Sequence, residues 1–318
     1  MTAFSATASG KIILFGEHAV VYGQPAIAVP VNIVQARAVV TAAPRSPAGA
    51  VHLMAPDVGL DTLLADLPAD DPLVLAITLT ASQLNIPRLP AMEIRLTSTI
   101  PVAAGFGSSA ATSIALIRAL AAFIGQRLSQ AVVSDLAYQV ECRHHGNPSG
   151  IDNTVITYGR PVYFVRGQPF EPLEPAQPLT LVIGDSGVQS STGAVVADVR
   201  RLHEAQNEQT QAAFQNMGEL ARQARTLIQA GQVDELGRLM NRNHALLRSL
   251  TISSPELDRL VDAALAAGAL GAKLSGGGRG GNMIALVTEP SAGAVEKALR
   301  SAGAVRTWVT TVNAKCKG

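Results

Sequence analysis

Apolar and polar positions along this chain follow two periods, and they predict an alternation of strands and helices. Residues 7–14 and 27–41 are rich in β-branched side chains and predict strands. Met92-Glu93-Ile94-Arg95-Leu96-Thr97 alternates between two faces, as a half-buried strand does. Residues 44–49 predict a turn-rich loop and residues 72–84 a helix. An apolar helix follows over 108–124, ending near Gly125, and another starts on Ser129 as its cap and runs to about residue 144. Gly146-Asn147-Pro148-Ser149-Gly150 must break it.

From residue 180 the pattern changes. Leu181-Val182-Ile183 predicts a short strand, and long helical segments follow over 192–230, in one piece or more, and 233–250. Ser254-Pro255-Glu256 opens another helix, with serine as cap and proline at its first position. Residues 269–274 and 283–287 predict strands on either side of a glycine run, followed by a helix over 291–299 and a strand over 305–312. The sum is an α+β protein. At 318 residues, two domains are the default. The proline-rich stretch 168–178 puts the boundary between domains at 1–175 and 176–318. No internal repeat is evident.

Composition narrows the function classes. Aromatic residues are only 4% of the chain against 47% apolar overall, so the core is built from Ala, Val, Leu and Ile. A net charge of +1 supplies no field to hold nucleic acid or an anionic membrane. Cys142 and Cys316 form neither a metal spacing nor a disulfide framework. The first residues lack the basic and apolar regions of a secretory signal. The longest apolar tract, 26–43, is interrupted by Asn32, Gln35 and Arg37 and reads as a strand, not a membrane span. The expectation is a cytoplasmic protein. An apolar surface helix can pair two copies into a homodimer, but no residue singles one out.

Four segments carry candidate chemistry. Pro101-Val102-Ala103-Ala104-Gly105-Phe106-Gly107-Ser108-Ser109-Ala110-Ala111 sets two glycines and two serines ahead of a helix. It is either a tight packed turn or an anion pocket, in which curled backbone and the orphan N–H groups of the helix face a phosphate. It is not a Walker loop, since it lacks the Gly-Lys-Ser/Thr ending, and it lacks the third glycine of a dinucleotide fingerprint. Lys11, Glu17 and His18 stand in an otherwise apolar segment. Ionisable groups there are either structurally paired or face a cleft. Glu141 and Asp152 straddle the glycine-proline break. They are a helix terminus and a helix cap, or two carboxylates converging on one volume, one for Mg²⁺ and one for a hydroxyl proton. Gly276-Gly277-Gly278-Arg279-Gly280-Gly281 is a hairpin connection or a close backbone approach to a ligand. His52, His203 and His244 lack partners at metal spacing and read as structural or surface residues. The pairs Arg200-Arg201 and Arg222/Arg225 read as solvated helix faces.

In series, these segments resemble the GHMP superfamily of small-molecule kinases. Within it, Gly10-Lys11-Ile12-Ile13-Leu14-Phe15-Gly16-Glu17-His18-Ala19-Val20-Val21-Tyr22-Gly23 and His145-Gly146-Asn147-Pro148-Ser149-Gly150-Ile151-Asp152 are similar to the mevalonate kinases. The resemblance spans the chain. It implies an N-terminal domain of the ribosomal protein S5 domain 2-like type, a ferredoxin-like C-terminal domain and an active site in the cleft between them. It implies ATP and mevalonate as substrates, with Mg²⁺. ATP phosphates would lie against Pro101, Ala103, Ala104, Gly105, Phe106, Gly107, Ser108, Ser109 and Ala110, with Ser109 and Glu141 on the metal. Asp152 would face the attacking hydroxyl, with Lys11 beside it. Glu17, His18 and Thr192 would contact mevalonate, and Gly276, Gly277 and Gly278 would close over the site. Arg279 departs from the family's small residues; it reaches a phosphate or points outward. Two other readings compete: a related kinase or decarboxylase of the superfamily, and a non-catalytic binding module. The presence of both Lys11 and Asp152 speaks against the last.

Overall fold

Two long strands set the frame. In the computed structural model, which describes residues 2–101, 105–145 and 148–313, β1 (Ala3–Phe15) pairs with β2 (Ala26–Ala42). Both strands contribute to each of two compact units. The first comprises residues 1–10, 34–101 and 107–159, the second 11–33, 102–106 and 160–318.

In the first unit, the end of β2 pairs antiparallel with β5 (Met92–Ser98), and β5 runs parallel to β3 (Val51–Ala55). A hairpin adds β4 (Leu60–Leu63) beyond β3. Helix α2 (Ser108–Phe123) packs on α1 (Pro72–Gln83), α3 (Gln130–His145) and α4 (Ile151–Tyr158). It can be central because it is apolar on nearly every face: Ala110, Ala111, Ile114, Leu116, Ile117 and Leu120 are all buried. Arg118 is the exception, and its guanidinium is satisfied by the Thr157 carbonyl at 2.6 Å. Local signals fix the helix starts. Asp71 accepts from Leu73 N at 2.8 Å ahead of Pro72. Ser129 Oγ accepts from Val132 N at 3.3 Å ahead of α3.

In the second unit, β8 (Leu179–Asp185), β9 (Gly271–Ser275), β10 (Asn282–Val287) and β11 (Arg306–Val312) form an antiparallel sheet in the order β11-β8-β10-β9. The helices α5 (Thr192–Ala205), α6 (Asn207–Ala230), α7 (Val233–Ser249), α8 (Pro255–Ala266) and α9 (Ala292–Ser301) accompany it. A core including Phe214, Met217, Leu247, Leu260, Met283 and Leu299 lies between them. Separately, the start of β2 pairs with β6 (Val162–Phe164), which carries the two-residue β7 (Glu171–Pro172).

The long helical stretch predicted from residue 192 breaks at Gln206, whose φ of −133° is not helical. Five elements, the three-residue β6 and two-residue β7 among them, carried too little signal to predict. β3 and β4 are five and four residues long, and α4 is eight residues between Gly150 and Gly159, at φ of +91° and +62°. No helix among the described residues is long and apolar enough to cross a membrane.

One contact sets the second unit's chemistry. α7 lies so close to β9 that a Cβ on Gly237 would stand 2.4 Å from the Leu270 carbonyl oxygen, and one on Gly271 would stand 2.1 Å from the Gly237 oxygen. Two glycines therefore allow the backbones to touch. That approach brings Asn243 of α7 and Lys273 of β9 to a common partner, described below. Replacing Gly237 by Ala should cost about 2 kcal/mol or more, since backbone must shift to admit the methyl. Urea unfolding measures this, and an unchanged midpoint would contradict the close packing.

Candidate active site

In the first unit, the glycine-serine loop delivers the chain into α2. Gly107 is the N-cap at φ +74°, a left-handed conformation suited to glycine. The cap has no side chain to offer and the first turn contains no acid, so the helix start is not neutralised by its own residues. Ser109 Oγ donates to Glu141 Oε1 at 2.6 Å, across from α3. Glu141 is buried. Asp152 is half-buried in the first turn of α4, after Gly150. Ser108 is half-buried and Ala110 is buried behind it. Pro101 is the last described residue before the loop. Ala103 and Ala104, expected near the phosphates, lie outside the described residues, as do Gly146, Asn147 and Cys316.

The second unit holds the other predicted residues. Lys11 is buried on β1, and its N–H donates to the Phe106 carbonyl at 2.9 Å. Phe106 is fully buried, edge-on to Trp308 with ring centroids 5.2 Å apart. Gly105 approaches Ser275, where an added Cβ would meet the carbonyl oxygen at 3.5 Å. Ser275 Oγ accepts from Ile13 N and donates to the Ile13 carbonyl, both at 3.0 Å, stitching β1 to the end of β9.

Glu17 is joined to Lys273 by an ion pair in which neither side chain has any exposure. Asn243 donates to its second oxygen at 3.2 Å, and Lys273 also donates to the Leu274 carbonyl at 2.6 Å. Burial pushes the Lys273 pKa down while the Glu17 charge opposes the fall. His18, at φ +59°, is buried and reaches the Gly277 carbonyl at 2.9 Å through Nε2. A carbonyl only accepts, so Nε2 carries the hydrogen. Neutral His18 then presents Nδ1 as a hydrogen-bond acceptor. Its pKa is pushed down to about 4, chiefly by burial; the Gly277 hydrogen bond opposes this and the charge of Arg279 adds to it.

The glycine run 276–281 is packed, not a loose hairpin tip. A Cβ on Gly277 would meet Thr192 Oγ1 at 2.8 Å, and one on Gly278 would meet the Ile252 oxygen at 2.2 Å. Thr192 itself is exposed at the start of α5. Arg279 is bound by Asp198 and Thr251. The bland reading of His244 as a structural residue holds, but it is not a surface one. Its Nδ1 accepts from Leu274 N at 3.4 Å, and its Nε2 meets Asp258 at 3.1 Å. His52 is on β3, bonded to Asp61, and His203 lies against Tyr22.

Sequence reasoning gave Lys273, Asn243, Ser275 and Asp198 no role. Their partners are 256, 226, 262 and 81 residues away. The available signal was an uncompensated lysine inside a predicted strand.

Two family models match the chain. The family model described as GHMP kinases N terminal domain matches residues 73–160, and that described as GHMP kinases C terminal matches residues 224–305. A mevalonate kinase of Thermococcus gammatolerans is 37% identical over 303 residues, covering 89% of each chain. The crystal structure of L. major mevalonate kinase in complex with R-mevalonate superposes with a TM-score of 0.83 at 31% identity, covering 98% of this chain and 96% of that one. Streptococcus pneumoniae phosphomevalonate kinase, in complex with phosphomevalonate and AMPPNP, gives the same TM-score at 17% identity, covering 98% of this chain and all of that one. The chain belongs to the GHMP kinase family.

Two outcomes follow from the buried groups. Lys273→Met should cost about 3–5 kcal/mol by leaving Glu17 buried and unpaired, and adding Glu17→Gln should recover part of that loss. Additive losses in a denaturant double-mutant cycle would contradict the pairing. The second outcome concerns pH. The His244 pKa is pushed down to about 4, mainly by burial, whereas an unfolded histidine titrates near 6.5. Its contribution is therefore full above about pH 6.5 and is lost as pH falls toward 4. Unfolding measured across that range should show a stability slope flatter by up to about one proton in His244→Gln. An unchanged slope would contradict a neutral buried imidazole.

Proposed function

We propose that this protein is a mevalonate kinase, transferring the γ-phosphoryl group of ATP to the 5-hydroxyl of (R)-mevalonate in the cytoplasm. The fold alone does not choose the substrate, since a phosphomevalonate kinase superposes as well as a mevalonate kinase does. Identity of 37% over most of the chain to a mevalonate kinase favours mevalonate. The observation that carries phosphoryl transfer is the Ser109–Glu141 hydrogen bond at a helix start whose N–H groups face no acidic side chain of the first turn.

Magnesium suits this donor set. It takes hard oxygen ligands, one or two carboxylates, and leaves other positions to water and phosphate. Among the described residues no group of three His, Cys, Asp or Glu could form an all-protein cage. Ser109 and Glu141 would hold the ion, which neutralises charge on the transferring phosphates when bound. The N–H groups at the start of α2, with Ser108, bind phosphate oxygens. Asp152 accepts a hydrogen bond from the attacking hydroxyl and aims its lone pair, and Lys11 balances the negative charge. Asp152 acts mainly by orientation and electrostatics. His18 Nδ1 accepts from a substrate hydroxyl, and Glu17, enclosed by Lys273 and Asn243, holds the turn that carries His18. Thr192 borders the bound acid, and the glycine run lines it.

Asp152→Asn should fold normally and lose at least about 100-fold in kcat; near-full turnover would rule out its role. Glu141→Gln should shift the Mg²⁺ titration of activity to higher concentration, and an unmoved titration would argue against ligation. ADP release measured with mevalonate, phosphomevalonate, galactose and homoserine tests the substrate, and release with another of these but not mevalonate would overturn the assignment.

A further inference from the structure

Arg279 is the residue that the glycine run should not contain, and it is the most heavily tied residue of that run. Its N–H donates to the Ile252 carbonyl at 2.7 Å. Its Nε donates to the Thr251 carbonyl at 2.9 Å, and Nη2 reaches Thr251 Oγ1 at 3.3 Å. Its Nη1 pairs with Asp198 on α5. One side chain thus joins the glycine run to the turn between α7 and α8 and to α5.

The backbone on both sides of this junction is left-handed. Thr251 has φ +56° and Arg279 φ +54°, neither of them glycine. A β-branched residue in that region is an outlier that persists only where its surroundings hold it. Two hydrogen bonds join Arg279 to Thr251 and a third joins it to the adjacent Ile252, so each conformation is held by the other. The guanidinium fork matters here: a single ammonium cannot serve Asp198, the Thr251 carbonyl and its hydroxyl together.

Two residues before Arg279 is Gly277, whose carbonyl accepts from His18 Nε2. That carbonyl is the partner that fixes which nitrogen of His18 carries the hydrogen. We infer that Arg279 is a positioning residue. By clamping the glycine run to Thr251 and Asp198, it presents the Gly277 carbonyl to His18, keeps Nδ1 as the acceptor and so sets the affinity for the hydroxy acid. Its charge also helps keep the ring neutral. The consequence for substrate binding rests on the mevalonate kinase reading; the link from Arg279 to His18 does not.

Two measurements separate them. In Arg279→Ala, KM for mevalonate should rise about tenfold, the worth of one well-placed hydrogen bond. KM for ATP should be unchanged and kcat should stay within about threefold. Asp198→Asn and Arg279→Lys should give smaller rises of the same kind, which keeps the test open should the alanine variant unfold. In a His18→Asn background, Arg279→Ala should add no further rise in KM. Equal losses in both KM values and in kcat, or full additivity with His18→Asn, would overturn the inference. Nitrogen-15 histidine spectra of the protein without substrate need no turnover. His18 should be the Nε2–H form in the wild type and a mixture of tautomers in Arg279→Ala. An unchanged His18 signal would overturn the clamp even if the enzyme phosphorylates mevalonate. A shifted signal in a protein that ignores mevalonate would uphold the clamp and reject the substrate.

Discussion

The buried Glu17–Lys273 pair is the interaction on which the second unit's chemistry rests. Taking both charges out of water is expensive and is offset only by close pairing with additional hydrogen bonds. Asn243 and the Leu274 carbonyl supply those bonds. Meeting that demand fixes three elements at once: the turn after β1, strand β9 and helix α7. The demand explains the neighbouring glycines, since Gly237 and Gly271 let α7 approach β9 closely. It also explains why His18, the next residue after Glu17, can be held in a left-handed conformation against the glycine run. A looser anchor would let the chain relax that turn.

The first unit solves a different problem. Its central helix α2 begins on a glycine that offers no capping side chain, and it carries serines in its first turn. Natural helices usually satisfy this end with an Asp or Ser cap, as α1 and α8 do through Asp71 and Ser254. α2 forgoes that stabilisation and keeps its place through burial on nearly all sides. The stability given up at the cap is returned by packing, and no acidic side chain of the first turn neutralises the helix start.

Most elements were legible because their signals were local. Proline after an N-cap marked α8, and alternation marked β5. The family was legible because its motifs are short and contiguous. What sequence could not supply was partnership. Glu17 admitted two readings, structurally paired or facing a cleft, and both its oxygens have partners on α7 and β9. Arg279 admitted two directions, toward phosphate or outward, and it takes neither: it folds back on Thr251 and Asp198. His244 read as a structural or surface residue, and nothing nearby in the chain reveals Asp258 or the Leu274 N–H as the partners that make it structural. β3, β4 and α4 were too short for either period to show.

The threading of the chain has a consequence for biosynthesis. The second unit uses residues 11–33 together with everything from 160 onward, so neither unit is a single contiguous segment. Glu17 emerges 256 residues before the lysine that neutralises it. At ribosomal rates of about 5–20 residues per second, that is a wait of roughly ten to fifty seconds. Through that interval Ile12, Ile13, Leu14 and Phe15, all buried in the finished protein, have no β9 to meet. The nascent chain must carry a solvated acid beside an unshielded apolar strand until its last quarter is made. That exposure to chaperones and to misassociation spans most of translation, and completion of β9 is the event that ends it.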